Sequence, residues 1–467
     1  MGHGHHIEIK QEQYTFSPKT KRFTIILMVL GLIFAGIGIA NLNNEASSHT
    51  SHNVEAASAH DNNKNSAGTH AATAHDEHAD HGNVPNEKFG PRAEFKNLNK
   101  PAATRIFANL LVAGYFFLMI SLAALFWYAI QYVANAGWSA AIKRVPEAVM
   151  TFIPVPLVVI LLVLLIDRTN IYHWAHYEHL HLKPEDSGFD KILDGKSGFL
   201  NSTMLFAFPT ILVSIWYLLS RKLRSLSLQE DSAAKGDVSF FKKSIRFSAT
   251  FAVIFGFTIS IIVWLLVMSV DSHWYSTIFG IYNFITHWVS SITIMAIIIL
   301  YLKKEGYLGI VNAEHMHDLG KFMFAFTVFW AYIWLSQYLL IWYAQIPEEM
   351  YYYQIRWEEY HNNFILNFGL CFVVPFLGLL MRSAKRNPVV MTTIGIILVL
   401  GHYHDVWFMV FPGVFGSGMQ IGMLEIGTFL FFLGLFLFWV FTALTKRGLI
   451  AINHPYLEES VYHDTGV

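Results

Sequence analysis

The chain has 467 residues, of which 54% are hydrophobic, 16% aromatic and only 14% charged. This composition excludes an ordinary soluble globular protein and predicts a multi-span membrane protein. The formal net charge of −1 gives no basis for binding nucleic acid, and the single cysteine, Cys371, excludes intrachain disulfides, cysteine-ligated iron–sulfur clusters and the Cys-x-x-Cys-His attachment of c-type haem.

Ten apolar runs are long enough to cross a membrane, because a bilayer core of about 30 Å needs roughly 20 helical residues. We predict ten transmembrane helices and an all-α membrane fold. The first run is predicted to be a helix rather than a signal peptide, since no convincing cleavage site follows it. The runs, numbered 1 to 10, are Phe23–Ala40, Ile106–Val133, Ala148–Ile166, Phe199–Ser220, Phe247–Val270, Ile278–Leu302, Phe322–Ala344, Phe364–Met381, Val389–Phe411 and Ile421–Leu444.

Lysine and arginine are distributed unevenly between the two sides of these helices. The side that holds the N-terminus has 21 of the 32. Because cytoplasmic segments are enriched in these residues, both termini are predicted to be cytoplasmic. The predicted divisions are an N-terminal segment 1–22, a first helix 23–40, an outward loop 41–105, two helical regions 106–270 and 271–411, a last helix 421–444 and a cytoplasmic tail 445–467.

The outward loop is rich in histidine and poor in aliphatic residues, so it cannot bury enough surface to fold alone. We expect a tail-like loop that orders on a partner. Metal capture and proton buffering near pH 6 to 7 are the alternatives. Its histidines are His49, His52, His60, His70, His75, His78 and His81.

A second polar segment, Asp167–Ser197, begins with four histidines at positions 173, 176, 179 and 181. The spacing of the first three places their rings near one face of a helix. We predict an amphipathic helix at the membrane interface, anchored by Trp174 and Tyr177. Haem ligation by these histidines is the less favoured alternative, because they lie at the mouth of the bundle.

Ionisable residues inside or at the edge of apolar helices are costly unless paired or hydrated, and they mark candidate functional sites. Here they recur at the outward ends of the helices. The stretch Leu335–Glu359 places an amide, an aromatic belt and two carboxylates in succession, which is typical of a polar site at the bilayer edge or of a helix contact with an aromatic anchor. The candidates outside helix 9 are Asp167, His173, Asp271, His273, His287, Gln337, Glu348, Glu349, Arg356 and Glu425.

Helix 9 holds the strongest group, because His402, His404 and Asp405 lie deep in an apolar run. A carboxylate there must be neutral, hydrated or paired, and a neighbouring imidazole can share its proton. Such a group can accept protons from an oxidised quinol or pass them along a half-channel. The alternative is an Asp–His or Asp–Arg contact that joins two helices. No motif for nucleotide hydrolysis, zinc proteolysis or serine hydrolysis competes with this interpretation.

Three segments are distinctive enough to suggest a family: MSVDSHWYSTIFG at 268–280, LSQYLLIWYAQIPEE at 335–349 and GHYHDVWFMVFPG at 401–413. They resemble the large membrane subunits of bacterial alternative complex III, a quinol:cytochrome c or cupredoxin oxidoreductase, which are related to NrfD and polysulfide-reductase membrane anchors. Residues Tyr14–Ser17 and the His-rich loop resemble the ActF-type subunit rather than its ActC-type paralogue. The resemblance covers nearly all of the chain except that loop.

The resemblance implies two four-helix bundles, helices 2–5 and 6–9, flanked by helices 1 and 10, in a bacterial inner membrane with the outward loop in the periplasm. It implies no cofactor and no metal on this chain. Menaquinol or ubiquinol, haem c and iron–sulfur clusters are expected in partner subunits. Those partners are an NrfD-like paralogue, multihaem and monohaem cytochromes c and an iron–sulfur subunit, with lipids and a terminal cytochrome oxidase as further contacts.

The resulting hypothesis is a respiratory subunit that supports assembly and handles protons near the periplasmic side, without a redox centre of its own. Its proton-handling or quinol-proximal residues would line a common outward cavity: Asp271, His273, Gln337, Glu348, Glu349, His402, His404 and Asp405. Two other classes stay open, an ion-coupled secondary transporter and a purely structural membrane anchor.

Overall fold

The computed structural model of the chain describes residues 11–61, 100–180, 184–186, 189–416 and 419–464, and for residues 43–61 and 348 it describes the backbone alone. Within these ranges, ten helices are long and apolar enough to cross a membrane. The predicted all-α membrane fold is therefore confirmed. The ten are α1 Pro18–Leu42, α2 Ala102–Val133, α3 Arg144–Ile171, α4 Ser202–Ser232, α5 Ser239–Val270, α6 Ile278–Lys304, α7 Ala313–Ala344, α8 His361–Gly378, α9 Pro388–Phe415 and α10 Met423–Thr445.

The helices extend beyond the apolar runs that predicted them, because interfacial polar residues cap or pair at their ends. Helix α7 begins well before Phe322, with a capping box in which Asn312 accepts from the backbone of Glu314 and His315. Five shorter helices, His173–Leu180, Lys191–Lys196, Pro347–Glu358, Arg382–Arg386 and Leu457–Val461, connect or follow the spanning ones.

Helix α8 is irregular near its middle. It runs as an α-helix over His361–Phe368, widens to a π-helix over Gly369–Val373 and resumes at Val374–Gly378, which includes Pro375. A proline lacks the backbone N–H that an α-helical turn needs, so the wider turn before it accommodates the missing bond. The turn lies beside the candidate site described below.

The helices pack as neighbours in two groups with a central layer. Helices α2, α3, α4 and α5 contact one another in sequence, as do α6, α7, α8 and α9. Helices α2, α6 and α9 are buried along most of their length, whereas α1 is largely exposed. Polar residues on α6 and α9 are therefore enclosed by protein, and the exposed apolar faces of the outer helices suit contact with lipid.

Helices α1 and α10 pair closely through small residues. A Cβ atom added at Gly31 would lie 2.4 Å from the backbone nitrogen of Phe431, and one added at Gly427 would lie 2.4 Å from that of Ala35. Only glycine permits the two backbones to approach this far, as is common between membrane helices.

Both described ends of the chain lie at the same end of the bundle. Gln13 forms an isolated bridge with Gly448, and the backbone N–H of Leu449 donates to the carbonyl of Glu12 at 2.7 Å. We call this the terminal end and the opposite one the distal end. That the terminal end faces the cytoplasm stays a prediction.

Two local predictions need correction. The helix that contains α1 continues to Asp61, so the first part of the predicted outward loop is helical; no glycine or proline interrupts residues 39–61. The helix predicted around His173 exists over His173–Leu180, but Trp174 is only 2% exposed and packs inside the protein instead of anchoring at the interface. His70, His75, His78, His81 and His181, and the side chains of His49, His52 and His60, lie outside the described residues.

Candidate functional site

Asp405 lies at the centre of the most enclosed polar cluster in the described part of α9, with 1% of its surface exposed. Three neighbouring helices supply side chains that donate to its carboxylate. Its Oδ1 accepts from Tyr282 at 2.5 Å and Asn367 at 2.8 Å, and its Oδ2 accepts from Thr286 at 3.0 Å and Trp330 at 3.2 Å.

All four of these donors are neutral, whereas Asp271 and Glu425, two other buried carboxylates at the distal end, each pair with an arginine. Tyr282 and Thr286 lie one helical turn apart on α6, so both reach the same carboxylate. Several hydrogen bonds to a carboxylate stabilise its ionised form without fixing a countercharge beside it. The cluster can therefore accept and return a proton without breaking an ion pair.

His404 is connected to Asp405 through one amide. Asn367 donates to Asp405 from Nδ2, while its Oδ1 faces His404 Nδ1 at 3.3 Å. His404 Nε2 faces the Oδ1 of Asn363 at 3.1 Å. An amide group can donate from its nitrogen or accept with its oxygen, so these two amides can serve His404 as a neutral ring or as an imidazolium. His404 thus offers a second site for a proton near Asp405, and Asn363 is partly exposed.

His402 and His287 form a second buried pair of imidazoles next to this cluster, and neither is exposed at all. The His402 ring packs at 5.7 Å against Trp330, and both of its nitrogens lack a hydrogen-bond partner among the described residues. His287 donates from Nδ1 to the carbonyl of Asn283 at 2.7 Å, and Tyr115 donates to the side chain of Asn283 at 2.9 Å. Both imidazoles therefore keep a ring nitrogen without a hydrogen-bond partner among the described residues.

Asp271 belongs to a different arrangement, an ion pair with a cation from outside the spanning helices. Arg356, on the helix Pro347–Glu358, lies 3.2 Å from Asp271 and donates to the carbonyl of Met409 at 2.9 Å. Its guanidinium lies 3.4 Å from the ring centroid of Tyr352, which stacks on Trp274 at 3.9 Å. Burial lowers the pKa of Arg356, but Tyr352 and Asp271 outweigh it and raise the pKa above its ordinary value.

His273 belongs to a third set of polar contacts, which it makes with the segment between α3 and α4. It hydrogen-bonds Asp190, and its ring lies 6.2 Å from that of His173. Burial opposes ionisation of Asp190, yet the bonds from His273 and from the backbone of Leu193 hold the pKa of Asp190 below its ordinary value. Lys196 donates to the carbonyl of Ser272 at 2.7 Å, which fixes this segment against the end of α5.

The remaining candidates lie apart from these groups. Gln337 is buried beside Tyr353, and its Oε1 has no hydrogen-bond partner among the described residues. Glu425 forms a bidentate ion pair with Arg105, at 2.8 and 3.0 Å, and accepts a hydrogen bond from Asn109 at 2.9 Å.

Asp167 accepts a hydrogen bond from Asn170 at 2.6 Å. Glu349 is partly exposed on the helix Pro347–Glu358, and the side chain of Glu348 is outside the described residues.

The structure thus brings together only part of the predicted set. His404 and Asp405 are joined through Asn367, and His402 and His287 lie nearby. Asp271 with Arg356, His273 with Asp190 and Gln337 with Tyr353 form separate contacts. Sequence reasoning missed the neutral donors to Asp405. The pairs Tyr282/Thr286 and Asn363/Asn367, each four residues apart in an apolar helix, were the available signal.

Sequence reasoning also missed a buried ionic cluster at the terminal end. Lys143 pairs with Glu230 at 2.8 Å, and Arg144 pairs with Glu147 at 2.6 Å and with Asp231. Ser227 donates to Glu147 at 2.5 Å. The cluster joins the start of α3 to the end of α4.

Among the described residues, no three His, Cys, Asp or Glu side chains converge in a way that could hold a metal ion. No protein-family model matches the chain, and no curated protein matches it significantly.

Proposed function

We propose that the chain is an integral membrane subunit of a quinol-oxidising respiratory complex, in which the Asp405 cluster takes up and releases protons near the distal side. The observation that supports proton handling most directly is a fully buried carboxylate held by four neutral donors and joined to His404 through Asn367. Asp271 and Glu425, by contrast, are each held in the ionised form by an arginine.

The proposed proton route begins at Asn363, which is partly exposed, and passes His404 to reach Asp405. Quinol oxidation releases two protons with its two electrons, and these must leave toward one side of the membrane. A carboxylate and an imidazole side by side suit this task because the proton affinity of each responds to the charge of the other.

The respiratory assignment is supported by the resemblance of the three segments to alternative complex III. It includes haem c and iron–sulfur clusters on partner subunits, menaquinol or ubiquinol as electron donor, and a bacterial inner membrane with both termini in the cytoplasm. To test it, the native protein is purified in mild detergent, and whatever co-migrates is examined for a haem c spectrum and quinol:cytochrome c reductase activity. A haem-bearing, active assembly supports the proposal; a lone, colourless, inactive chain contradicts it.

An ion-coupled transporter is the second candidate, and the π-helical turn in α8 favours it. That turn, Gly369–Val373, begins two residues after Asn367, and transporters bind their ions where helices are interrupted. The deciding measurement is ion or solute flux by the purified chain in liposomes. Flux that Asp405→Asn abolishes would favour transport over the respiratory assignment.

A further inference from the structure

A groove of about 920 Å³ opens at the terminal end between α4 and α10, far from the Asp405 cluster. The last turns of α4 and the end of α10 form its walls, and the start of α5 contributes Phe240. Four cations line it: Arg221 and Arg224 from α4, and Lys446 and Arg447 after α10. No acidic residue is among the described residues that line it.

The acids closest in sequence are paired with cations that do not line the groove. Glu230 pairs with Lys143, and Asp231 pairs with Arg144. Arg224 is held at the edge of the groove by a bond to the carbonyl of Ala443 at 3.5 Å, whereas Arg221, Lys446 and Arg447 are exposed. Several like charges kept close together in this way form a site for an anion.

The groove has the composition expected where a bilayer changes from hydrocarbon to headgroups. Trp439 is 39% exposed and donates to Thr151 at 3.2 Å, with its ring at the groove, and indole rings concentrate at this level. Toward the membrane centre, α4 continues with an exposed apolar face in line with Arg221. Leu218 is 62% exposed and Ile211 is 56% exposed. A ligand here meets cations at one end and lipid-facing aliphatic side chains at the other.

We propose that this groove binds the phosphate of an anionic phospholipid, with its acyl chains along the exposed face of α4. Neighbouring basic side chains between membrane helices recognise such headgroups through charge and hydrogen bonds. The apolar face beside the cations favours a lipid over a free phosphate ion, which would leave that face without a partner. The bound lipid joins α4 to α10 at the terminal end.

The test uses the full-length chain, with any subunits that co-purify, stripped of lipid in detergent. Dioleoyl phosphatidylglycerol, dioleoyl phosphatidylcholine or inorganic phosphate is added, and the thermal midpoint and retained lipid are measured. We expect phosphatidylglycerol to raise the midpoint and to be retained in native mass spectra, and the other two additives to have little effect. An equal effect of phosphatidylcholine, or of phosphate alone, would overturn the proposal.

The informative variant is Arg221→Gln/Arg447→Gln, since both side chains are exposed and their loss should not unfold the protein. A cation beside an anionic lipid contributes a factor of about 5 in binding, so the apparent affinity for phosphatidylglycerol should fall roughly 10- to 30-fold. The charge-matched control is Lys222→Gln/Lys304→Gln, two exposed lysines at the same end that do not line the groove. If the control weakens binding as much as the test variant, the effect is general surface charge and the site is refuted.

Discussion

The hydroxyl of Tyr282 on α6 donates to Asp405 on α9 over 2.5 Å, and both side chains are buried. This bond joins two of the central helices through a neutral donor and an ionisable acceptor. The strength of the bond depends on whether the carboxylate is ionised, because charge-assisted hydrogen bonds are roughly twice as strong as neutral ones. The protonation state of Asp405 is thereby linked to the contact between α6 and α9.

Tyr282→Phe removes only the hydroxyl that donates to Asp405 and keeps the aromatic ring. It should therefore remove one hydrogen bond to the carboxylate without creating a large cavity in the core. We expect a loss of about 1.5–3 kcal/mol in the free energy of unfolding and a marked fall in quinol-linked turnover. The matched control is Tyr403→Phe, which removes a buried hydroxyl that has no hydrogen-bond partner among the described residues. Thermal unfolding and turnover of the two variants side by side are the measurement, and equal effects would argue against a special role for Tyr282.

Arg356→Leu should be strongly destabilising, because it removes the cation beside a buried carboxylate. The expected cost is about 3–5 kcal/mol. If the pair has a structural role, Arg356→Leu/Asp271→Leu should recover most of that stability. A double-mutant cycle in thermal unfolding measures the coupling between the two residues. A double variant as unstable as the single one would show that Asp271 contributes more than its pairing with Arg356.

The C-terminal tail should detach more readily at acidic pH because of His454. Burial, together with Lys143 and Arg144, lowers the pKa of His454 to about 2, and its Nδ1 accepts from the backbone of Tyr456 at 3.3 Å. The folded state thus keeps the ring neutral while the unfolded chain protonates it near pH 6.5. Stability from this group is complete above pH 6.5 and falls by roughly 1.4 kcal/mol per pH unit below it.

The corresponding measurement compares thermal midpoints at pH 7.5 and 5.5 in the wild type and His454→Asn. The asparagine carbonyl can still accept from Tyr456 but does not titrate. We expect the variant to lose less stability on acidification than the wild type. Identical losses would show that other groups account for the pH dependence.

Gly427→Val should separate α1 from α10, because the new side chain meets the backbone of Ala35. Overpacking of this kind costs about 1–3 kcal/mol. Gly36→Val is the control on the same helix pair, since a Cβ atom at Gly36 meets nothing within 4 Å. The thermal midpoint should fall for the first variant and stay close to the wild type for the second.

The fold was predictable from the sequence because each spanning helix corresponds to a long apolar run of residues. The depth of Asp405 was predictable for the same reason. Its partners were not, since hydroxyl and amide groups on α6 and α8 give no charge signal in an apolar run. The pairing of Arg356 with Asp271 depends on how the helix Pro347–Glu358 folds back over the bundle, and hydropathy contains no such information. Trp174 was misassigned because an aromatic residue near a helix end suits an interface and a buried contact equally well.

The hypothesis of one outward cavity was too broad for a related reason. Sharing an end of the bundle does not bring residues into contact. His273 turns toward Asp190, and Asp271 pairs with Arg356. The proton-handling proposal therefore concentrates on Asp405, His404 and their immediate neighbours.

Proton handling by Asp405 is tested most directly by Asp405→Asn in the native assembly, with quinol-driven turnover and proton release recorded together. An asparagine fills the same space but cannot take up a proton at the carboxylate. We expect an assembled complex with intact partner content, at least a tenfold lower turnover and a corresponding loss of proton release. An assembled variant with normal turnover and normal proton release would contradict proton handling by Asp405.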